Sequence, residues 1–471
     1  NIDAEGRHHL FVRGNLQNDR EDGVQQFPGQ APNTRELSNS KGLAVGLTSV
    51  VNPSFVNDFR YGLTRQGIET AGIAKTPLVT FRGLDSIIGG SRSFRALIPV
   101  HNIANTATWT KGNHTVTFGG QLRFVRNDRL TDQTSYSSAV TNSSWLVNSG
   151  SALSAPFTNM TPGFATSFRF AAAAVLGLVS QADASYNYMT DGTVLPQGAP
   201  IQRNFNNNEY EFFVSDAWRL KPNLTITAGL RWSLMPPVEE ANGQQLSSSI
   251  PLSTWFGLRA YLADQGRPQS EVPRISFVTK DDPTWRPLYA YHKKNFAPRL
   301  GLAWSPGFND GFLKTLFGDG GKTSIRVGWG MFYDSFGQGI LRSYDATAFG
   351  LSNQLTSPSG VLSVTQAPKF TGISNLPLSI MPEAPPPTFP AAPPDIFAIT
   401  NSVDDSLVPP YSMTMNFNIG RDFGGGIFVQ AGYVGRLGRR LMSQMDMAMA
   451  TNIRDPQSGQ TYFQAAAETA R

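Results

Sequence analysis

The 471-residue sequence contains no cysteine, which excludes a disulfide framework, a thiolate metal centre and a cysteine nucleophile. Charge is scarce as well. Only 15% of residues are Asp, Glu, Lys or Arg, against about 25% in an average soluble domain. That deficit excludes a coiled coil, a charged disordered tail and a helical enzyme rich in Ala, Glu, Lys and Leu. No apolar run approaches the roughly 18 residues that a membrane helix needs; the longest is Ala171 to Val179. No signal peptide precedes the chain, which opens on Asn1, so a processed or truncated start is expected. The net charge of +5 is spread over scattered basic residues that form no run, so no nucleic-acid partner is expected.

In place of charge the chain carries Asn, Ser, Thr and Gln, with 45 Gly and 32 Pro. Such a mixture favours many strands joined by turns and loops. Alternation with period two dominates. Val116, Phe118, Gly120, Leu122 and Phe124 alternate with Thr115, Thr117, Gly119, Gln121 and Arg123. Leu224, Ile226, Ala228, Leu230 and Trp232 alternate with Thr225, Thr227, Gly229 and Arg231. Ile325 to Tyr333 and Ser412 to Ile419 behave alike. These segments are about ten residues long, which exceeds an ordinary strand and matches a tilted membrane strand.

The pattern predicts about 13 strands, near residues 8–17, 41–51, 55–65, 101–111, 114–126, 162–170, 179–189, 206–220, 223–235, 295–305, 323–334, 411–421 and 427–437. The weakest pattern is in the sixth and seventh, where Ala171 to Leu178 also suits a short helix. Short turns (Val51–Ser54, Gly112–Asn113, Lys221–Asn223, Asp422–Gly426) alternate with long polar connections expected near 18–40, 66–100, 127–161, 236–294, 335–409 and 438–471. Short periplasmic turns and long extracellular loops are the habit of outer-membrane barrels. A compact soluble domain does not hold loops this long. The expected fold class is therefore all-β, an antiparallel transmembrane β-barrel, incomplete because bacterial barrels close with even strand numbers.

Two sets of side chains fit that reading. Trp109, Trp218 and Trp304 lie just before turns, while Phe124, Trp232 and Tyr333 lie nine or ten residues beyond them. They are expected to form two membrane-interface belts about 25 Å apart, the height of a barrel's apolar band. A β-sandwich has no reason to place aromatics at both strand ends. Arg13, Arg60, Arg123, Arg231, Arg299 and Arg326 all fall on the polar parity of their strands. Arg on a lipid face costs about 2–4 kcal/mol near the midplane, so these six are expected to face the lumen and to meet water, a plug or an anionic ligand.

Specific runs then carry a resemblance. Asn208 to Trp232 (NEYEFFVSDAWRLKPNLTITAGLRW) and Thr108 to Phe124 (TWTKGNHTVTFGGQLRF) resemble hairpins of the TonB-dependent outer-membrane transporters. Asn295 to Trp304, Gly318 to Asp334 and Pro410 to Leu441 are similar to the Oar-like group of that family. The resemblance covers most of the chain at intervals. It implies capture of a scarce extracellular ligand (siderophore, glycan, peptide or similar) and import through a plugged lumen, powered by the TonB energy-coupling complex. It also implies a location in the outer-membrane lipid and no bond-making chemistry. Nothing in the sequence resembles the family's plug domain, TonB box or terminal aromatic strand, so a barrel portion is expected. A passive porin-like or adhesin-type barrel is the alternative reading.

Other motifs carry less. Gly320–Gly321–Lys322–Thr323–Ser324 imitates the end of a phosphate-binding loop, yet a strand pattern follows where the motif needs a helix. The five histidines show no ligand spacing, so no metal or cofactor is expected. Glu239–Glu240, Asp281–Asp282 and Asp404–Asp405 read as solvated loop acids. Ala384 to Pro394 suits polyproline II, and Ser253–Gln265 and Tyr462–Ala470 suit short helices.

Overall fold

The computed structural model describes residues 2–84, 86, 88–337, 339–341, 351–357, 363–384, 403–447, 449 and 451–470. The Pro-rich run beyond Ala384 lies outside the described residues. Period-two stretches become eleven long strands: β1 (His8–Asp22), β2 (Thr34–Asn52), β3 (Phe55–Gly72), β4 (Phe94–Lys111), β5 (His114–Thr131), β6 (Ile201–Lys221), β7 (Leu224–Leu234), β8 (Asn295–Trp304), β9 (Thr323–Tyr333), β10 (Tyr411–Gly424) and β11 (Ile427–Arg439). Each lies antiparallel beside its predecessor, in one meander. A two-residue strand, Glu239–Glu240, adds to β6 off this path and makes the sheet twelve-stranded. Among the described residues β1 and β11 are not paired with each other.

β1 to β3 continue past the alternating stretches, so the connection between Asp22 and Thr34 is shorter than its polar composition suggests. Backbone pairing does not require alternating side chains, and polar strands extend as long as their partners do. Short turns join β2 to β3, β4 to β5, β6 to β7 and β10 to β11 at one end of the sheet. The link from β8 to β9 at that end carries a helix, Gly311–Phe317.

Register decides which side chains share a face. Phe55, Trp109 and Val116 stand in one row, and Phe118 stands beside Val214 and Leu230 in another. Leu302, Val327 and Phe417 continue the same face. This face is mainly apolar and uncovered, with Leu300 57% and Val214 49% exposed. An apolar surface of this breadth does not persist against water.

Two predicted strands need correction. Residues 162–170 form a helix, Pro162–Val175, and not a strand. The Thr161 hydroxyl accepts from the Phe164 amide at 3.4 Å, Pro162 occupies the first turn, and an Ala run follows; all three favour a helix. Val179–Asn187 is a strand, but it belongs to a second, four-stranded sheet with Leu78–Phe81, Ser138–Thr141 and Ser352–Thr356. The expected helices are present as Leu252–Asp264 and Tyr462–Thr469.

The buried apolar clusters lie in the long connections. Trp145, Leu146 and Leu178 pack together, and Val79, Ala139, Val179 and Ala182 form a neighbouring cluster. A third holds Tyr188, Leu246, Tyr289, Phe336 and Leu341 around Phe205 of β6, which ties the folded connections to the sheet. Burial pushes the Tyr289 phenol up to about 12 from its ordinary 10.0.

Two outcomes follow. Leu300→Arg is expected to destabilise the sheet in lipid by about 2–4 kcal/mol, read from urea unfolding in vesicles; an unchanged midpoint would contradict a lipid-facing Leu300. Because the folded Tyr289 holds its proton more tightly, its contribution is constant below about pH 10 and is lost as pH rises through about 12. Tyr289→Phe is expected to remove that part of the alkaline unfolding followed at 295 nm.

Candidate functional site on the polar face

All six predicted arginines lie on the face opposite Trp109 and Phe118. Arg13 stands opposite Ala44, Arg60 opposite Ala104, Arg123 opposite Asn102 and Glu209, and Arg231 opposite Ala297. Arg299 stands between Gly229 and Gly330, and Arg326 between Ala303 and Asn418. Small residues stand beside Arg13, Arg60, Arg299 and Arg326.

The structure divides the six. Arg60 Nε is 2.8 Å from Asp58 Oδ2, and Asp58 also accepts from the Thr48 hydroxyl at 2.8 Å. Arg123 Nη1 donates to Glu209 Oε2 at 2.6 Å, and Arg231 Nη1 donates to Glu211 Oε2 at 2.6 Å. Ser233 Oγ takes the other Glu211 oxygen at 3.1 Å. These three cations are neutralised within the wall. Among the described residues no carboxylate makes an ion pair with Arg13, Arg299 or Arg326.

Arg299 instead lies over the Phe332 ring, 4.5 Å from its centroid. Gly330 makes this possible, because a Cβ there would stand 3.3 Å from the same ring. Sequence reading missed a fourth member, Arg436 of β11. One row across the sheet runs Arg299, Gly330, Thr414, Arg436. Arg436 Nη2 donates to Ser412 Oγ at 3.3 Å and makes no ion pair among the described residues. The β8–β11 side of the polar face thus presents three cations without carboxylates, above a floor of Thr414, Asn416 and Asn418. Such a surface attracts anions.

The six aromatics lie on the apolar face. Val116, opposite Trp109, is eight residues from Phe124; Leu224, opposite Trp304, is eight from Trp232; Ile325, opposite Trp304, is eight from Tyr333. Eight residues span about 26 Å along a strand, or about 20 Å after barrel tilt. Trp232 stacks on Phe296 with centroids 5.9 Å apart, and Tyr333 lies 5.7 Å from Tyr411. Trp218 stacks on His114, whose Nδ1 is 2.7 Å from Asp216 Oδ2.

Several motifs resolve without chemistry. Thr323 of the Gly-Gly-Lys-Thr run opens β9, and the nearby helix precedes the run. Glu240 is not solvated as expected. It is buried and accepts from the amides of Asn204, Asn242 and Gln244 at 2.7–2.8 Å. Asp405 likewise pairs with Arg286 at 3.4 Å.

The family profile "Outer membrane beta barrel domain" matches residues 2–470. No curated protein matches the chain. Among solved structures, the outer membrane transporter YddB from Escherichia coli is 12% identical, with a TM-score of 0.41, over 92% of this chain and 38% of that one. The ferric-catecholate import receptor Fiu from E. coli K12 is 9% identical, with a TM-score of 0.37, over 97% of this chain and 51% of its own. The chain thus spans about half or less of the length of these proteins.

Arg231→Met is expected to destabilise the sheet by about 1–3 kcal/mol, because it strands the half-buried Glu211 carboxylate. Arg326→Met is expected to leave stability within about 0.5 kcal/mol. Equal unfolding midpoints in vesicles would contradict the division of the six arginines.

Proposed function

Because the chain belongs to the outer membrane beta-barrel domain family and lies in the bacterial outer membrane, we propose that it is the barrel portion of a TonB-dependent transporter of the Oar-like group. In this reading the polar face lines the lumen and the folded connections face the outside, where they capture a scarce ligand. The whole protein would carry that ligand inward past a plug, with energy supplied through the TonB complex by segments outside this chain.

One observation carries the reading. The wall neutralises Arg60, Arg123 and Arg231 itself but, among the described residues, leaves Arg299, Arg326 and Arg436 without carboxylates on a single side of the polar face. A simple structural wall gains nothing from three cations held apart from acids. A lumen that must hold an anionic surface, either plug carboxylates or an anionic solute, uses them directly. Arg436 and Arg299 flank Thr414 and Gly330 in one row, so an extended anionic partner lying across β8 to β11 meets both.

The test uses the full-length gene product in its own outer membrane. Arg299→Glu with Arg326→Glu is expected to keep surface display and heat-modifiable migration while energised uptake falls at least about tenfold, the loss of one charge-assisted contact or more. Unaltered uptake in the double variant would overturn the lumenal role. Uptake that persists after loss of the inner-membrane coupler would overturn the TonB-dependent reading and favour a passive barrel.

A further inference from the structure

The chain holds 11 methionines and no cysteine. Four of the 11 fall within eight residues, at Met442, Met445, Met447 and Met449. Met331, Met413 and Met415, by contrast, lie on the apolar face of the sheet, where methionine serves as ordinary hydrophobic covering. The cluster lies just beyond β11, and three of its four methionines are exposed. Met442 is 52%, Met445 51% and Met449 43% exposed.

From these facts we infer that Met442–Met449 binds a soft monovalent cation, Cu(I), through thioether sulfurs. Four points support the assignment. Thioethers select Cu(I) over hard divalent ions, and in a chain without thiols they are the only sulfur donors. The described residues hold no group of three His, Cys, Asp or Glu placed for a harder ion. The backbone is pinned while Met442, Met445 and Met449 stay exposed. The Met449 amide donates to the Asp446 carbonyl at 3.3 Å. Arg259, on the helix Leu252–Asp264, donates to the carbonyls of Met447 and Met449, the latter at 3.1 Å. Farther along, Arg454 is 2.9 Å from Asp264 and its amide donates to the Ala263 carbonyl at 2.8 Å.

The arrangement is economical for a metal that accepts two or three soft ligands. Residues two apart in sequence stand at most about 7 Å apart, and the three rotatable bonds of each methionine can close such a spacing on one ion. The Arg259 guanidinium is engaged by the backbone carbonyls of Met447 and Met449 and by Gln269. Binding exchanges only the ligands of a monovalent ion and calls for no electron transfer at the protein.

The experiment is a competition for Cu(I) against bicinchoninate under anaerobic ascorbate, with the full chain in detergent micelles. The wild type is expected to withdraw one Cu(I) per chain. The variant Met442→Leu/Met445→Leu/Met447→Leu/Met449→Leu keeps volume and apolarity and is expected to bind at least about tenfold more weakly, because the soft donors are gone. Met160→Leu/Met189→Leu, outside the cluster, is expected to match the wild type. A second readout is peroxide oxidation followed by peptide mass spectrometry, in which Cu(I) should protect the Met442–Met449 peptide of the wild type. Equal competition by wild type and quadruple variant, or none by the wild type, would overturn the assignment and leave an adaptable apolar contact.

Discussion

Unbroken antiparallel pairing from β1 to β11 is the constraint on which the other features rest. Within a bilayer no water is present to satisfy a strand's amides and carbonyls, so each strand must find them on its neighbours. Once the pairing is continuous, period two follows for every side chain. Trp109, Phe118, Leu230 and Phe417 are then obliged to share one face, and Arg60, Arg123, Arg299 and Arg326 the other. A slip of one residue anywhere would carry an arginine into lipid. The charge deficit of the composition has the same cause: half of every strand has no use for charge.

Where polar side chains nevertheless stand on the apolar face, they satisfy one another. Asn57 and Asn105 exchange two amide hydrogen bonds at 3.0–3.1 Å across β3 and β4. The Tyr61 hydroxyl lies 2.9 Å from His101 Nδ1, and His114 pairs with Asp216 beneath the Trp218 ring. An unpaired amide in hydrocarbon costs several kcal/mol, so pairing across neighbouring strands is what makes these residues tolerable there. Register is again the instrument, since each pair depends on two strands held in one alignment.

This explains what the sequence could and could not disclose. Strand positions and the parity of the arginines are local, because alternation within ten residues records which side chains share a face. Ion-pair partners are not local. Glu209 and Glu211 sit at alternate positions of β6, but their assignment to Arg123 and Arg231 requires knowing that β5 and β7 flank it. Arg436 escaped notice because β11 alternates weakly between Gly, Val and Arg. Pro162–Val175 misled for the opposite reason: Phe164, Phe168 and Phe170 satisfy period two over a short window, while the Thr161 cap and the Ala run decide for helix. Val179–Asn187 alternates little because it is buried on both faces, which is the mark of an interior strand rather than of a membrane wall.

Two kinds of apolar burial therefore coexist in one chain. The sheet has little core of its own; its apolar side chains point outward and depend on lipid for their partners. The connections bury Trp145, Leu246, Leu341 and Leu355 almost completely, and they would keep those contacts in water. Phe205 joins the two, standing on β6 yet packed in the cluster of the connections. Glu240 reinforces the junction by holding Asn204 of the same strand through a backbone amide. The folded connections are thus attached to β6, which also carries Glu209 and Glu211. Any shift of β6 at this end bears on the carboxylates that neutralise Arg123 and Arg231, and so on the balance of charge along the polar face.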